Sequence, residues 1–189
     1  MVNTDRAWET VAQTDPYWGV LTSDEFLGAG LDASTEAKFF GSGQVHIDEM
    51  LDVLRSQVRP GFAPASSLDY GCGVGRLLLP LSALSERVVG VDISDSMLAR
   101  ARQHLAAAGR TNAELIHPDQ LSSVLPVDFI HSTIVLQHIN PKRGLPIVEQ
   151  LVDVLAPDGC GALQFHLQGA GGTAMRLVRG ALERSQTLN

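Results

Sequence analysis

The chain has 189 residues and a mass of 20.2 kDa, which is the size of one domain. A hydrophobic fraction of 44% is enough to build a core, whereas a net charge of −7 and a pI near 5.2 argue against a surface that wraps nucleic acid. We therefore expect an acidic, globular protein that has no nucleic-acid partner.

The targeting and cysteine patterns are equally restrictive. The first six residues lack a basic leader followed by an apolar core, and no apolar run approaches the length of a membrane span. Cys72 and Cys160 are too few for a disulfide framework, and no Cys/His spacing is typical of a metal site. We predict buried thiols, no metal, no membrane partner and a cytoplasmic location.

The first 40 residues do not follow a repeating β/α pattern. They hold most of the aromatic residues, and Trp8 and Val11 have helical spacing that Pro16 interrupts. We predict that residues 1–40 form a cap over one edge of a main domain at residues 41–189. The aromatic side chains of this cap either pack as core or contact a substrate.

Alternating strand and helix patterns occupy the main domain. An amphipathic helix ends at Arg59-Pro60-Gly61. The predicted strands end at Leu68 and cover residues 87–92, 113–117, 127–132 and 160–167, with helices at residues 95–108 and from Asn140 onwards. This alternation predicts an α/β fold, a doubly wound, mostly parallel, Rossmann-like sheet with helices on both faces.

A glycine-rich turn follows the first strand, with the sequence Asp69-Tyr70-Gly71-Cys72-Gly73-Val74-Gly75-Arg76. Glycine permits positive φ angles and lets a ligand approach bare backbone, and we expect the turn to offer free N–H groups. The spacing is G-x-G-x-G, and Arg76 occupies the position of the third glycine in the dinucleotide fingerprint. A tight turn that binds no ligand is the alternative.

A second acid marks the same end of the predicted sheet. Asp92 ends the second strand, 17 residues after Gly75. Ligands of open α/β sheets bind at the carboxyl ends of the strands. A carboxylate there can accept hydrogen bonds from both hydroxyls of a ribose and disfavours a 2′-phosphate.

Together these motifs resemble the class I S-adenosylmethionine-dependent methyltransferases. The resemblance covers residues 39–167: the glycine turn, Val91-Asp92-Ile93-Ser94, Asp119 ahead of residues 125–128, the strand exit at residues 135–139, and the turn at residues 155–159. It implies S-adenosylmethionine as cofactor, S-adenosylhomocysteine as product, and methyl transfer to an O, N or C atom of a small-molecule acceptor.

The resemblance also implies roles for individual residues. Residues at the methionyl end are Asp69 and the backbone of Gly71, Cys72, Gly73 and Gly75. Residues toward the nucleoside are Asp92 at the ribose, Ile93 on the adenine face, Asp119 at the adenine amine and the Gln120 N–H near the ring; Asp119 is alternatively a helix N-cap. Ser42 and Gly43 form either a loop that closes over the cofactor or an N-cap and turn.

His138 is the candidate general base, because it follows the fourth strand and titrates near neutrality. A structural histidine is the alternative, and His131 and His166 are further candidates. Two other functions stay open: a non-catalytic cofactor-binding or regulatory subunit, and an NAD-linked oxidoreductase. The strand exit has no [DNS]-P-P-[YFW] motif, so amines of nucleic acids are not the expected acceptors.

The end of the chain departs from the family pattern. Residues 169–172 read as a glycine loop and residues 174–182 as a helix, so strands 6 and 7 of the family have no counterpart. The fifth strand would then be a bare sheet edge, and such edges recruit other strands. We expect either a truncated form of a longer protein or an edge covered by another chain, as in a homodimer.

Overall fold

The computed structural model describes residues 4–166 and 173–179. The helices are α1 (Thr4–Thr14), α2 (Pro16–Val20), α3 (Ala33–Gln57), α4 (Leu78–Leu84), α5 (Asp95–Ala107) and α6 (Pro141–Asp153). The strands are β1 (Ser66–Tyr70), β2 (Arg87–Val91), β3 (Ala113–Ile116), β4 (Val127–Ser132), β5 (Leu155–His166) and β6 (Thr173–Arg179). Within these ranges no helix combines the length and apolarity that a bilayer crossing requires.

The six strands form one sheet in the order β3-β2-β1-β4-β5-β6. The first five strands run parallel to their neighbours, and β6 runs antiparallel to β5. Chain progression reverses between β1 and β4, which is the point where doubly wound sheets bind ligands. The predicted doubly wound, mostly parallel sheet is confirmed.

Both faces of the sheet are covered, because apolar residues on the strands alternate between two cores. Adjacent residues of β4 point to opposite sides: Phe129 packs with α3, α4 and α5, and Ile130 packs with α6. Burial on both faces explains why β4 has adjacent apolar residues, Phe129 and Ile130, rather than a strict alternation of apolar and polar residues.

Helix α3 overturns both interpretations of Ser42 and Gly43. The helix begins after the N-cap Asp32, whose carboxylate accepts from the Thr35 N–H at 2.8 Å, and it continues without a break through residue 57. Ser42 and Gly43 therefore lie inside a helix and form neither a closing loop nor an N-cap. The same helix crosses residue 40, where the sequence predicted the boundary between cap and main domain.

The absence of a side chain at Gly43 has a tertiary cause. A Cβ atom at this position would lie 2.3 Å from the Arg76 carbonyl oxygen, so only glycine lets α3 pack this closely against the chain that follows the glycine turn. The local sequence Gly-Ser-Gly is typical of a loop, and the long-range contact outweighs that preference.

The predicted C-terminal helix is wrong over the residues that the structure describes. Residues 173–179 form β6, which pairs with β5 from Cys160↔Arg179 to His166↔Thr173. The edge of β5 is therefore covered by the same chain, and this removes the reason for expecting a homodimer there. The predicted glycine loop at residues 169–172 and the residues after 179 lie outside the described ranges.

The N-terminal segment packs on the main domain mostly through aromatic core contacts. Tyr17 and Phe26 each meet the ring of Phe39 edge-to-face at a centroid distance of 5.2 Å, and all three side chains are buried. Val74 and Met97 of the main domain belong to the same cluster. Of the two predicted roles for these aromatic residues, core packing therefore applies to these three.

Candidate active site

A cavity lies at the carboxyl ends of β1, β2 and β4. It encloses about 980 Å³, part of it open to solvent. The glycine turn and Asp92 form its floor, the segment after β4 forms one wall, and α1, α2 and α6 border the mouth. Its position at the reversal of strand order is the one expected for a ligand site in this fold.

The glycine turn presents bare backbone to this cavity. Gly71 and Gly73 have φ angles of +78° and +53°, a region that other residues rarely adopt. A Cβ atom at Gly71 would lie 2.2 Å from the Val135 side chain, and one at Gly73 would lie 2.5 Å from Val20. Side chains in the turn would therefore fill the space between the walls.

The expectation of free N–H groups in the turn is wrong for Gly71, Cys72 and Gly73. The N–H groups of Gly71 and Cys72 donate to the Val91 carbonyl oxygen, at 2.7 and 3.0 Å, and that of Gly73 donates to Asp92. Burial requires such groups to be paired, and the end of β2 supplies the acceptors. These three residues therefore let a ligand approach the backbone closely, but they offer it no free N–H group.

Asp92 connects β2 to the glycine turn. Its Oδ2 accepts from the Gly73 N–H at 2.8 Å and its Oδ1 accepts from the Ser94 N–H at 2.9 Å. Burial raises the pKa of the Asp92 carboxyl, although these backbone hydrogen bonds work to lower it. Each carboxylate oxygen retains capacity for a second hydrogen bond, so a hydroxyl ligand can still be bound.

Asp69 lies beside the glycine turn and is nearly inaccessible, with 2% of its surface exposed. Its Oδ1 lies 3.0 Å from Nδ1 of His131 on the neighbouring strand. The other ring nitrogen of His131, Nε2, lies 2.9 Å from Nε2 of His46 on α3. His131, proposed from the sequence as an alternative base, is therefore a fully buried partner of Asp69.

Arg76 is a cation that the sequence analysis did not assign to the site. It lines the cavity although only 4% of its surface is exposed, and its Nη1 donates to Ser42 Oγ at 3.2 Å. Its Nε has no hydrogen-bond partner among the described residues. Burial lowers the pKa of the guanidinium, against the attraction of Asp69.

The exit of β4 contains a strained residue. Ile134 lines the cavity with a φ angle of 60°, which is unfavourable for a β-branched side chain. Gln164 of β5 stabilises this conformation, because its Oε1 accepts from the Ile134 N–H at 2.7 Å and from Thr133 Oγ1 at 2.6 Å. Such strain concentrates at functional sites.

His138 lies at the mouth of the cavity, in a short 3₁₀ helix at Leu136–His138. Its ring meets Trp8 of α1 edge-to-face at a centroid distance of 5.3 Å. Burial lowers the pKa of the imidazole, so the ring is in its neutral form at neutral pH. Trp8 thus contacts the candidate base, which the sequence did not predict.

The N-terminal segment is attached on both sides of the mouth. Arg143 of α6 donates to Asp5 of α1 at 2.6 Å. On the other side, Glu9 of α1 accepts from Ser94 Oγ at 2.6 Å and from the Ser96 hydroxyl at the start of α5. Burial works to raise the pKa of Glu9, but the serine hydrogen bonds outweigh it and lower the value to about 2.

The structure brings most of the predicted site residues together. Those that line the cavity are Asp69, Gly71, Cys72, Gly73, Asp92, Ile93 and His138. Those that do not line it are Ser42, Gly43, Gly75, Asp119 and Gln120. The His166 side chain lies outside the described residues. Among the described residues, no cluster of His, Cys, Asp or Glu is arranged as a metal site.

Asp119 and Gln120 lie away from the cavity for local reasons. The Asp119 side chain is 78% exposed and lies 3.3 Å from His117 Nδ1. The Gln120 N–H donates to the His117 carbonyl oxygen at 3.0 Å, within the 3₁₀ helix Pro118–Ser123. The N-cap of that helix is His117, so the alternative role predicted for Asp119, a helix N-cap, is wrong.

The sheet order, the glycine turn and the acid at the end of β2 define an α/β protein with the fold of class I methyltransferases. A model of a family described as a methyltransferase domain matches residues 68–160, about half of the chain. This stretch runs from the end of β1 to the middle of β5, so it includes the glycine turn, Asp92 and the exit of β4.

Proteins of known sequence and structure agree with this match. A demethylmenaquinone methyltransferase of Shouchella clausii is 37% identical over 103 residues, covering 51% of this chain and 43% of the relative. A carboxy-S-adenosyl-L-methionine synthase of Nitratiruptor sp. is 33% identical over 95 residues, covering 48% and 39%. The solved phosphoethanolamine N-methyltransferase 1 of Haemonchus contortus has a TM-score of 0.63 at 15% identity, covering 88% of this chain and 32% of that one.

The chain therefore belongs to the class I S-adenosylmethionine-dependent methyltransferases and carries their methyltransferase domain. It spans about two fifths of the length of these curated relatives.

Proposed function

We propose that this chain binds S-adenosylmethionine in the cavity and transfers the methyl group to an O, N or C atom of a small-molecule acceptor. S-adenosylhomocysteine is then the product. The observation that carries the proposal is the position of Asp92, a carboxylate at the end of β2 that faces the cavity beside a turn without side chains.

The residues present fit this cofactor. A bare glycine turn admits close approach, a carboxylate suits a ribose diol, and the unpartnered Nε of a buried Arg76 calls for an acceptor such as a carboxylate.

Each of these residues takes a role from its chemistry. Asp92 would hold the ribose hydroxyls, and Ile93, which lines the cavity next to it, would cover the adenine. Asp69 would accept from the ammonium group of the methionyl end. Because the N–H groups of Gly71, Cys72 and Gly73 are bonded internally, Arg76 is the better donor to the methionyl carboxylate.

Bound S-adenosylmethionine supplies a methyl group that is already activated on a sulfonium centre. The protein's contribution is then to align the acceptor and to exclude water, which the strained exit of β4 and the N-terminal segment would do. A base is needed only when the acceptor carries a proton at neutral pH. His138 would take that proton at Nε2 after displacement of the Gln137 amide, which donates to this lone pair at 3.2 Å.

The N-terminal residues 1–40 would serve as a cap on the cofactor. Val20 approaches the position where a Cβ of Gly73 would be, and Trp8 reaches the candidate base. Two ties hold this cap, one from Asp5 to Arg143 and one from Glu9 to the start of α5. Release of these ties would open the cavity for cofactor exchange.

The acceptor is proposed to be a small molecule, and the chain to act in the cytoplasm. The name of the Shouchella clausii relative points to a quinone-type small molecule as the acceptor of that protein. The net charge of −7 argues against nucleic acid. Two buried cysteines that form no disulfide are usual in a reducing compartment.

Calorimetric titration with S-adenosylhomocysteine and, in parallel, with NAD tests the cofactor. We expect binding of S-adenosylhomocysteine and none of NAD; the reverse result would replace this proposal by an oxidoreductase. Mass spectrometry of co-purified ligands, followed by a screen of small-molecule acceptors, tests the transfer. Cofactor binding without turnover of any acceptor would favour a non-catalytic cofactor-binding subunit.

A further inference from the structure

Three side chains from three different elements form a buried chain of hydrogen bonds beside the glycine turn. Asp69 of β1 meets His131 of β4 at 3.0 Å, and His131 meets His46 of α3 at 2.9 Å. Asp69 and His131 expose 2% and 0% of their surface, whereas His46 is partly exposed. Asp69 alone of the three lines the cavity. The chain thus links the cavity floor to the outer side of α3.

The proton count along this chain allows few arrangements. A carboxylate only accepts, so the His131 Nδ1–H donates to Asp69 Oδ1. The contact between the two Nε2 atoms can hold one proton, because two N–H groups would repel and two lone pairs would not bond. With His131 neutral, its Nε2 is an acceptor and His46 donates from Nε2–H.

The surroundings favour this neutral arrangement. Burial, as the largest cause, and Coulombic repulsion from His131 and Arg76 together lower the pKa of His46 to about 4. A cationic Arg76 close by disfavours a second positive charge in this part of the core. His46 therefore remains a neutral donor at pH 7, and it fixes the tautomer of His131.

We propose that His131 and His46 are positioning residues, which hold Asp69 with one oxygen engaged and the other directed to the ammonium group of a ligand's amino-acid end. This inference rests on the proposed function. Among the described residues, Oδ1 is engaged by His131 and no hydrogen bond reaches Oδ2, so Oδ2 is the oxygen left for the ligand. His46 acts through His131, and His131 acts through Asp69.

A purely structural role explains less. Position 131 lies in the middle of a sheet, where an apolar side chain would pack without the cost of burying polar groups. A buried carboxylate needs a donor, but it does not need a second histidine behind that donor. The second histidine, His46, has a role if it fixes the tautomer of His131. In the other tautomer, His131 would turn a lone pair toward the Asp69 carboxylate, and the hydrogen bond between them would be lost.

The test compares two ligands in matched variants. S-adenosylhomocysteine carries the amino-acid end, and methylthioadenosine carries the nucleoside without it. We expect His131→Leu and His46→Leu to weaken binding of S-adenosylhomocysteine by about tenfold, the scale of a hydrogen bond to a charged group, and to leave methylthioadenosine unchanged. His131→Asn keeps a donor near the Nδ1 position and His46→Gln keeps one near Nε2, so both should restore most of the affinity.

Two-bond ¹H–¹⁵N correlation spectra of the unliganded protein provide a second readout. We expect the Nδ1–H tautomer for His131 and the Nε2–H tautomer for His46 at pH 7; the opposite tautomers would overturn the inference even if the leucine variants do not fold. Equal losses for both ligands, or no difference between leucine and amide variants, would also overturn it. If the wild-type protein binds neither ligand, the proposed function itself fails.

Discussion

The Asp92 carboxylate accepts a hydrogen bond from the Gly73 N–H at 2.8 Å, which joins the end of β2 to the turn after β1. The same carboxylate also accepts from the Ser94 N–H at 2.9 Å, at the start of α5. One side chain thus organises the turn and faces the cavity, so its loss affects both the fold and the binding of a ligand.

Replacement of Asp92 tests this double role. We expect Asp92→Ala to weaken S-adenosylhomocysteine binding by about 1.5–3 kcal/mol, the scale of hydrogen bonds to a charged group. We also expect it to lower the free energy of unfolding by about 1–3 kcal/mol, because two backbone N–H groups lose their acceptor. Asp95→Ala, at an exposed position three residues on, is the control for both measurements. Unchanged affinity in calorimetry would refute the ribose role.

Two glycines of α3 should respond in opposite directions to the same substitution. Gly43→Ala places a Cβ atom 2.3 Å from the Arg76 carbonyl oxygen. A Cβ atom added at Gly41 would have no neighbouring atom within 4 Å. We expect Gly43→Ala to lower the free energy of unfolding by about 1–3 kcal/mol through overpacking. Gly41→Ala should raise it by about 0.5–1 kcal/mol. Urea denaturation of both variants decides, and equal shifts would contradict the close packing of α3.

The strained conformation at Ile134 depends on Gln164. Gln164→Leu removes the acceptor of the Ile134 N–H and of the Thr133 hydroxyl while keeping much of the side-chain volume. We expect a loss of about 1–3 kcal/mol in the free energy of unfolding. Gln150→Leu, on the exposed side of α6, is the matched control and should change stability by less than about 0.5 kcal/mol. Similar values for both variants would show that the strained exit does not need Gln164.

The base role of His138 can be separated from cofactor binding. For an acceptor that loses a proton, His138→Ala should lower kcat by about 10²–10⁴ and leave the affinity for S-adenosylhomocysteine nearly unchanged. Lys142→Ala, at an exposed position of α6 that does not line the cavity, should retain kcat within about tenfold. Wild-type turnover in the His138→Ala variant would contradict the base role, and His138 would then have only a structural role in packing against Trp8.

Stability should depend on pH through His46. Burial, with the charges of His131 and Arg76, lowers the folded-state pKa from 6.5 to about 4, so the unfolded chain binds the proton more tightly. The stability is therefore complete above about pH 6.5 and decreases as the pH falls toward 4. His46→Gln should flatten this part of the profile in urea denaturation. If the free energy of unfolding changes with pH in the same way in the wild type and the variant, the pH dependence arises from a group other than His46.

The main features of the sheet could be predicted from the sequence because they arise from local patterns. Apolar runs alternate with amphipathic helices, and this periodicity alone specifies a doubly wound parallel sheet. Asp69, Gly71, Gly73 and Asp92 were predicted for a related reason: each lies at or just beyond the carboxyl end of its strand, and those ends meet at one edge.

The features that were predicted wrongly from the sequence depend on contacts between residues that are distant in the chain. Gly41-Ser42-Gly43 has the composition of a loop, yet packing against Arg76 keeps it helical. Residues 173–179 have an amphipathic helical pattern, yet pairing with β5 makes them a strand, because a sheet edge offers a row of unpaired backbone groups. Local preference is weak, and tertiary contacts override it.

The site itself shows the same division. The sequence by itself determined the floor of the cavity, since strand ends and glycine spacing are local properties. Only the tertiary structure decided that His46 meets His131, 85 residues further along the chain, and that Trp8 meets His138. Contacts of this kind follow from how helices pack on a sheet, and no periodicity or motif in the sequence records that packing.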